Sequence, residues 1–389
     1  MCNDHKHNHN DNRKGATLAN GKAHQKDHQQ WSRRTFLRQL GIAGTTSFLL
    51  GGTPLTAIAN SPLAMALSNA VNDDRILVLI RLKGGNDGLN TIIPLFDYGT
   101  YQGARNDIAI PQNELINLTD ELAMPNTMSA LSNMWEGGQM KVVNNVGYPD
   151  QNLSHFRSTD IWSSASDSDE LLSSGWLGRL LEQEYPDFLS NPPLVPPAIQ
   201  MGSAGNLVFN DNAGFDMSLN VADPEQLYEI AQTGQLYDPL MVPECHYGEQ
   251  LSYLRSVSNN VFRYAETIAE NFGNGTNSVE YDGNSLAEQL ALVARLIRGG
   301  LGTRLYMVVH DGFDTHANQA GSHPELLNQL ARAVQHFHED LSNGGHGDRV
   351  LSMTFSEFGR RIEQNASGGT DHGAAAPLFL FGEGLNGNG

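Results

Sequence analysis

The chain has 389 residues, of which 39% are hydrophobic and 40 are glycine, a composition that predicts a loop-rich α/β protein. Its formal net charge of −19 argues against a nucleic-acid partner and against simple docking on anionic lipid, because both need a cationic face. There are two cysteines, Cys2 and Cys245. Once the N-terminus is removed only one remains, which excludes an intrachain disulfide and a cysteine-rich zinc site.

The N-terminal segment, residues 1–59, is predicted to be a twin-arginine export signal. A polar, histidine-rich stretch precedes the pair Arg33 and Arg34, and a weakly apolar run follows at 41–51. That run is too short and too rich in glycine and threonine to span a membrane. Cleavage is expected at the end of this segment or after Ala66. We therefore expect the twin-arginine translocase as an export partner, a periplasmic or secreted protein, and no integral span after signal removal.

A first buried parallel strand is predicted at residues 74–82, where leucine and β-branched residues form a compact run. It opens a single domain expected over residues 72–389. The strand ends in a glycine-rich turn that contains Asn86 and Asp87. Open α/β sheets bind ligands at the carboxyl ends of their strands, so Asp87 is a candidate ligand. The alternative is an ordinary Asn-Asp-Gly β-turn.

A second strand is predicted at residues 141–146, and a helix begins soon after it at Ser154. Ser154 is a good N-cap residue, which needs no further function. A serine at a helix N-terminus beyond a strand is also a favourable nucleophile, because the helix dipole and free amides stabilise an anion there. His155 and Arg157 could then bind an oxyanion.

The middle of the chain, about residues 203–300, is predicted to be mainly helical. Helices are expected at 224–232, 245–272 and 285–298. No dense cluster of metal-ligating residue types occurs there. We interpret the segment as a helical insertion or cap over the sheet.

A third strand, predicted at residues 303–309, leads to Asp314 and His316. Residues i and i+2 share a face of an extended segment, so both side chains can reach one ion. Mixed nitrogen and oxygen donors after a strand favour metal ligation over an ordinary surface loop. The next helix is expected at 324–338.

A fourth strand, predicted at residues 349–354, leads to Glu357 and then to Arg360, which could contact an anionic substrate or be a surface charge. Asp371 and His372 follow in a glycine-rich turn before a last apolar strand. A carboxylate and an imidazole held by a rigid turn suit a divalent metal. We expect the polar segments that carry Asp87, Asp314, Glu357 and His372 to converge at one edge of the sheet.

Several motifs together resemble the exported domain of unknown function 1501 family. They are GGNDGLNT, VGYPDQNLSHFRSTDIW, GWLGR, GFDTHANQ, TFSEFGRR and GGTDHGAAAP. That family is associated with the alkaline phosphatase and sulfatase superfamily. The resemblance implies a doubly wound, mostly parallel α/β sheet with helices on both faces and with metal ligands at the strand ends.

The resemblance also implies functions for individual residues. Ser154 matches the superfamily nucleophile, with His155 and Arg157 beside it. The implied metal ligands are Asp87, Asp314, His316, Glu357 and His372. Asn86, Asp371 and Arg360 would support the ligands or contact substrate. Phe358 stands where relatives have a histidine, so one or two ions are expected, with Zn or Mn favoured and Ca possible.

The expected function is an exported, metal-dependent hydrolase of phosphate or sulfate esters that uses a serine nucleophile and metal-activated water. Its substrate would be a small-molecule or polysaccharide ester. The alternative is a non-catalytic, exported metal- or ligand-binding protein of the cell envelope with a degenerate phosphatase-like site. The chain ends just after the last apolar strand, whereas relatives continue, so a closing helix and strand are expected to be missing.

Overall fold

A computed structural model describes residues 46–50, 53–57, 74–202, 206–221, 241 and 246–385. Residues 1–45, with the predicted twin-arginine motif, and the predicted helix at 224–232 lie outside the described residues. The chain divides into two compact units. One comprises Met1–Asp73 and Asp238–Arg255, and the other comprises Asp74–Tyr237 and Ser256–Gly389.

The described elements are a mixture of strands and helices distributed along the chain. The strands are β1 (Thr46–Leu50), β2 (Thr53–Ala57), β3 (Ile76–Lys83), β4 (Ile93–Pro94), β5 (Leu115–Asn117), β6 (Leu122–Pro125), β7 (Met140–Val146), β8 (Ala198–Gln200), β9 (Ser218–Asn220), β10 (Leu305–Asp311), β11 (Val350–Phe355), β12 (Gly359–Arg360), β13 (His372–Gly373) and β14 (Ala376–Phe381). The α-helices are α1 (Tyr98–Ala104), α2 (Ser132–Glu136), α3 (His155–Ser164), α4 (Trp176–Glu184), α5 (His246–Asn274), α6 (Ser285–Arg298) and α7 (Gln319–Asn343). Short 3-10 helices lie at Gly88–Asn90, Leu95–Asp97, Gln112–Glu114, Asn126–Leu131, Leu207–Phe209 and Gly347–Arg349.

In the larger unit, seven strands form the central sheet in the order β7-β14-β11-β3-β10-β8-β9. Strands β11, β3, β10, β8 and β9 are parallel to their neighbours within this group, whereas β14 is antiparallel to both β11 and β7. Val78 fixes the register at the centre, because it lies opposite Tyr306 on one side and Ser352 on the other. In the smaller unit, β1 and β2 form an antiparallel pair.

Both faces of the central sheet are covered. On one face, Val78 and Ile80 of β3 belong to a buried cluster with residues of α6 and α7. On the other face, Leu79 packs in a second cluster with residues of α4. Alternate residues of a strand point to opposite faces, so these two clusters place helices on both sides. The predicted doubly wound, mostly parallel α/β fold is confirmed.

The element boundaries differ from the sequence prediction in two informative places. Helix α7 begins at Gln319, and Pro324 lies inside it, whereas the prediction began the helix at the proline. Pro324 is the sixth residue of this helix, so the intrahelical bond to the carbonyl oxygen of Ala320 is not made. Strand β9 falls within the segment that was predicted to be mainly helical, and it pairs with β8.

The topology brings five chain segments to one edge of the sheet. Strands β3, β10 and β11 run in the same direction, so their carboxyl ends meet there. Strand β7 also ends at this edge, because it is antiparallel to β14, which is itself antiparallel to β11. For the same reason β14 begins at this edge. Among the described residues, no helix is both long enough and apolar enough to cross a bilayer.

Candidate metal centre

His155 is the first residue of α3, and a buried carboxylate fixes its ring. Its Nδ1 lies 3.0 Å from Oε1 of Glu357, which is 1% exposed. The backbone N–H of Gly84 donates to the same oxygen at 2.9 Å. An ionised carboxylate only accepts hydrogen bonds, so in the neutral ring Nδ1 carries the proton and Nε2 carries the lone pair. Glu357, predicted as a ligand, thus lies behind His155.

His316 and His372 are held in the same way through Nδ1. His316 Nδ1 is 3.3 Å from Oδ1 of Asp371, and His372 Nδ1 is 2.7 Å from the carbonyl oxygen of Leu153. Asn365 also donates to Asp371, at 3.2 Å, and its hydrogen bond together with that of His316 holds the pKa of Asp371 below its usual value. Neither acceptor oxygen carries a hydrogen, so Nδ1 of each neutral ring holds the proton. The lone pair is then on Nε2, on the side of the ring away from the anchoring oxygen.

The three Nε2 atoms converge on Asp314. Its Oδ1 is 3.3 Å from His316 Nε2, 3.4 Å from His155 Nε2 and 3.5 Å from His372 Nε2. The Nε2 atoms of His316 and His372 are only 2.9 Å apart, although the anchored tautomers place a lone pair on each. His155 Nε2 is buried and makes no hydrogen bond. Such a convergence of lone pairs is the arrangement that a bound cation would stabilise.

The donor set fits a divalent metal ion. It offers three imidazole nitrogens and one carboxylate oxygen, the ligand types that zinc and manganese accept. One ligand atom from each of His155, Asp314 and His372 lies within 4.8 Å of the others. The oxygen behind each ring matches the outer shell that metal-binding histidines usually have.

Arg360 holds Asp314 through the same oxygen that the histidines face. Its guanidinium donates to Asp314 Oδ1 at 2.7 Å and to the carbonyl oxygens of Gly84, Gly85, Phe313 and Thr370. Burial alone would raise the pKa of Asp314, but the hydrogen bond and the charge of Arg360 lower it below its ordinary value. Arg360 therefore clamps the loops that carry the ligands.

Ser154 immediately precedes α3 in the N-cap position, yet its hydroxyl makes no capping hydrogen bond. The residue is exposed, and its backbone N–H donates to Asn152 Oδ1 at 2.9 Å. Chain connectivity places Ser154 at the cluster, between Leu153, which contacts His372, and His155. Arg157, in contrast, donates to the carbonyl oxygens of Ser168 and Glu170.

Asp87 and Asn86 do not join this cluster. Asp87 is fully buried, and it accepts hydrogen bonds from Arg105, Gln319 and the backbone of Leu89. Burial alone would raise the pKa of Asp87, but the charge and hydrogen bonds of Arg105 lower it. Asn86 Oδ1 accepts from Thr91 at 3.1 Å and from His323 at 3.0 Å.

The sequence did not identify Arg105 and Gln319, which donate hydrogen bonds to the carboxylate of Asp87. Neither residue lies in a metal-binding motif. Gln319 Oε1 also accepts from Thr370 at 2.6 Å and from Thr315 at 3.2 Å. One glutamine therefore ties Asp87 to the two segments that carry His316 and His372. The only sign of Gln319 in the sequence was that it is a polar residue just before the predicted 324–338 helix.

Phe358 forms an aromatic wall beside the histidines. Its ring centroid is 4.4 Å from that of His372 and 4.8 Å from that of His155, and its side chain is 2% exposed. The ring occupies the space beside Gly85, where an added Cβ would lie 2.5 Å from it. Gly85 also has φ +86°, so glycine suits this position on both grounds.

The family model described as "Protein of unknown function (DUF1501)" matches residues 140–389. The chain belongs to the DUF1501 family. The match includes the segments that supply all four converging side chains of the candidate centre. No curated protein matches this DUF1501 chain.

Solved structures resemble this DUF1501 chain only distantly. An alkaline phosphatase superfamily protein from Vibrio parahaemolyticus is 9% identical, with a TM-score of 0.35 over 80% of this chain and 61% of that protein. The lipoteichoic acid synthase LtaP from Listeria monocytogenes is 9% identical, with a TM-score of 0.29 over 82% and 67%. Alkaline phosphatase from the Antarctic bacterium TAB5 is 8% identical, with a TM-score of 0.32 over 80% and 93%. The chain spans less than two thirds of the Vibrio protein.

Proposed function

We propose that the chain is a metal-dependent hydrolase of phosphate or sulfate esters. The supporting observation is that three anchored histidines direct Nε2 at one carboxylate oxygen of Asp314, at 3.3–3.5 Å. Ser154 directly precedes His155 in the chain, and its hydroxyl makes no capping bond. A cation site next to an uncommitted hydroxyl suits nucleophilic displacement at an ester.

The residues that would hold the ion are His155, His316, His372 and Asp314. Zn and Mn suit this mixed nitrogen and oxygen set better than Ca, which prefers oxygen ligands. The bound ion would supply positive charge that polarises the ester and lowers the pKa of a hydroxyl. Phe358 fills the neighbouring position, which favours one ion in this proposal.

In the proposed reaction, the Ser154 hydroxyl attacks the phosphorus or sulfur atom. A bond forms from Oγ to that atom while the bond to the alcohol oxygen breaks, and the proton lost by the serine hydroxyl ends on the leaving alcohol oxygen. Water then attacks the serine ester, which releases phosphate or sulfate and restores the hydroxyl. The first turn of α3 has amide N–H groups without an intrahelical partner, and these can bind the non-bridging oxygens.

The test is elemental analysis of chelator-free protein together with hydrolysis of an aryl phosphate and an aryl sulfate. The wild-type chain should contain about one equivalent of metal and turn over at least one ester. Ser154→Ala should retain the metal and lose turnover by at least about 10³-fold. Ser173→Ala, at another exposed serine, should match the wild type. Turnover that survives Ser154→Ala would exclude the serine mechanism.

A second candidate is a non-catalytic metal- or ligand-binding protein of the cell envelope. It is favoured by the positions of Arg157 and Arg360, whose guanidinium groups are engaged by carbonyl oxygens or by Asp314. Neither arginine is presented to an anionic substrate. Stoichiometric metal without turnover of any ester would select this second function.

We further propose export by the twin-arginine translocase to the periplasm or outside the cell. The support is the order of elements in the N-terminal sequence, with Arg33 and Arg34 before the apolar run. Replacing both arginines by lysine should retain the protein in the cytoplasm, as measured by fractionation. Export that persists in this variant would contradict the proposal.

A further inference from the structure

We propose that Arg81 is a positioning residue for His155, and that it acts by holding the carboxylate of Glu357 against the His155 ring. The inference rests on the proposed function, because it concerns a ligand of the ion. Arg81 lies in β3 and is 7% exposed. It is the one charged side chain among the buried residues of that strand. A buried charge needs a partner, so its position in an apolar strand calls for an explanation.

Arg81 pairs with the carboxylate that anchors His155. Its Nη2 lies 3.9 Å from Glu357 Oε1, the oxygen that is 3.0 Å from His155 Nδ1. The same oxygen accepts from the Gly84 N–H at 2.9 Å. Both charged side chains are buried, at 8% and 1% exposure, so water screens their attraction little. The charge of Arg81 thus stabilises Glu357 in the place where it accepts from His155.

The guanidinium of Arg81 is also joined to the helix that carries His155. Arg81 Nη2 donates to Thr159 Oγ1 at 2.6 Å, and the Thr159 hydroxyl donates to the His155 carbonyl oxygen at 2.6 Å. Thr159 is about one helical turn after His155. The contacts therefore form a closed ring that runs from Arg81 to Thr159, His155, Glu357 and back to Arg81. Thr159 fixes the guanidinium where its charge faces Glu357.

Arg81 differs from two other buried arginines in how its guanidinium is used. Arg105 and Arg360 each donate to several acceptors and so join separate segments. Arg81 Nε, in contrast, is buried without a hydrogen-bond partner among the described residues, and so is Glu357 Oε2. A residue that joined loops would use such a donor. The charge beside Glu357, more than a set of hydrogen bonds, accounts for Arg81.

The test observes the ring of His155 directly. In the metal-free full chain with isotope-labelled histidine, two-bond proton–nitrogen NMR spectra at about pH 8, where free imidazole is neutral, should show the His155 proton on Nδ1. His155→Gln assigns the signals by their absence. In Arg81→Gln the ring should show a mixture of both neutral tautomers, because Glu357 is no longer held. Zn affinity, measured by chelator competition, should fall by at least about tenfold.

Arg179→Gln is the matched control. Arg179 donates to the carbonyl oxygens of Ser164, at the far end of α3 from His155, and of Ser174. Its loss removes a partly buried guanidinium from the same helix without touching Glu357. The His155 tautomer and the Zn affinity should both match the wild type. An equal loss of Zn affinity in this variant would overturn the inference, because any loosening of α3 would then suffice.

A double variant separates positioning from a general loss of stability. If Arg81 acts through Glu357, then Arg81→Gln should reduce Zn affinity by less than about twofold in a Glu357→Gln background, because the anchor is already lost. A full tenfold loss in that background would show that Arg81 acts by another route and would overturn the inference.

The outcomes also distinguish this inference from the proposed function. Zn binding that is unchanged in Arg81→Gln would overturn the inference and leave the proposed function standing. A wild-type chain that binds no Zn would overturn the proposed function, and the His155 tautomer in Arg81→Gln would still decide the inference. If Arg81→Gln does not fold, Thr159→Val takes its place, because it releases the guanidinium and keeps the charge. Its Zn affinity should fall by at least about threefold, and wild-type affinity would overturn the inference.

Discussion

Each histidine of the centre depends on one oxygen atom behind its ring. Glu357 supplies that oxygen for His155 from a fully enclosed position, and Asp371 supplies it for His316 from a half-exposed one. The buried carboxylate is less screened by water, and its 3.0 Å contact is shorter than the 3.3 Å contact of Asp371. Glu357 should therefore contribute more to ligand orientation.

Glu357→Gln should weaken metal binding by about 10–100-fold, because the amide no longer stabilises the proton on His155 Nδ1. Asp371→Asn should weaken it by less. Competition with a chromogenic chelator measures both affinities. Glu363→Gln, at an exposed glutamate, is the control and should bind metal as the wild type does. Equal affinities for the Glu357 and Glu363 variants would contradict the assignment.

Arg360→Lys should lower the free energy of unfolding by about 2–4 kcal/mol, since a lysine cannot reach the acceptors that the guanidinium joins. Urea denaturation measures the change. Arg361→Lys, at the exposed neighbouring arginine, should change stability by less than about 0.5 kcal/mol. An equally large loss of unfolding free energy in Arg361→Lys would contradict the stabilising effect assigned to the hydrogen bonds of Arg360.

The residues most visible in the sequence were those with a short-range pattern. Asp314 and His316 share a face by their i, i+2 spacing, and the structure places both at the cluster. His155 was assigned to oxyanion binding, because the sequence shows only that it follows Ser154. Its contact with Glu357 joins residues 202 positions apart, and no local pattern contains that pairing. Asp87 is paired with Arg105, which lies 18 positions away, and no local pattern contains that pairing either.

At the level of elements, the turn after β3 sets the position of the Asp314 loop. Gly84 has φ +123°, and a Cβ added there would lie 2.3 Å from the backbone nitrogen of Asp314. Neither the conformation nor the space admits a side chain. The close approach brings the end of β3 against the loop that follows β10.

Gly84→Ala should therefore displace the Asp314 loop, with a loss of about 2 kcal/mol or more in unfolding free energy and weaker metal binding. Gly99→Ala is the matched control, because nothing lies within 4 Å of a Cβ at Gly99 in α1. That change should leave metal affinity alone and stabilise the chain by about 0.5–1 kcal/mol. Thermal unfolding and chelator competition measure the two effects. Undiminished metal affinity in Gly84→Ala would contradict the expected displacement.

Strand positions were predictable because runs of β-branched residues mark buried parallel strands. The ends of β3, β10 and β11 were therefore located within two residues or so of their places. The direction of β14 could not be read from its apolar sequence, since the same run suits either direction. The direction of β14 decides which of its ends lies near the cluster. That direction is seen only in the assembled sheet.

For the whole molecule, buried neutral histidines couple stability to pH. His338 of α7 is buried against β11, where its Nε2 lies 3.0 Å from the Ser352 hydroxyl. Burial lowers the pKa of His338 to about 4 from an ordinary 6.5. His323 is also buried, and its pKa is lowered to about 4. Both rings stay neutral in the folded chain while the unfolded chain takes up protons.

The contribution of these two rings to the free energy of unfolding should be constant above about pH 6.5, should decrease as the pH falls toward 4, and should level off below that. Each ring can account for about 3 kcal/mol across this window. His338→Gln can keep a hydrogen bond to Ser352 but cannot titrate. The slope of its unfolding free energy against pH should therefore correspond to one proton fewer than in the wild type. Urea denaturation between pH 4 and 7 measures the slope. An unchanged slope in this variant would contradict the coupling.

His372 belongs to β13, far along the chain from the other histidines, and this position sets an order of events during synthesis. The carbonyl group that anchors its ring comes from a residue 219 positions earlier. A ribosome-bound chain that ends before β13 contains three of the four converging side chains and lacks His372. Under the proposed function, the ion would therefore be bound only after β13 has been made, and retention of the metal would report that this part of the chain has folded.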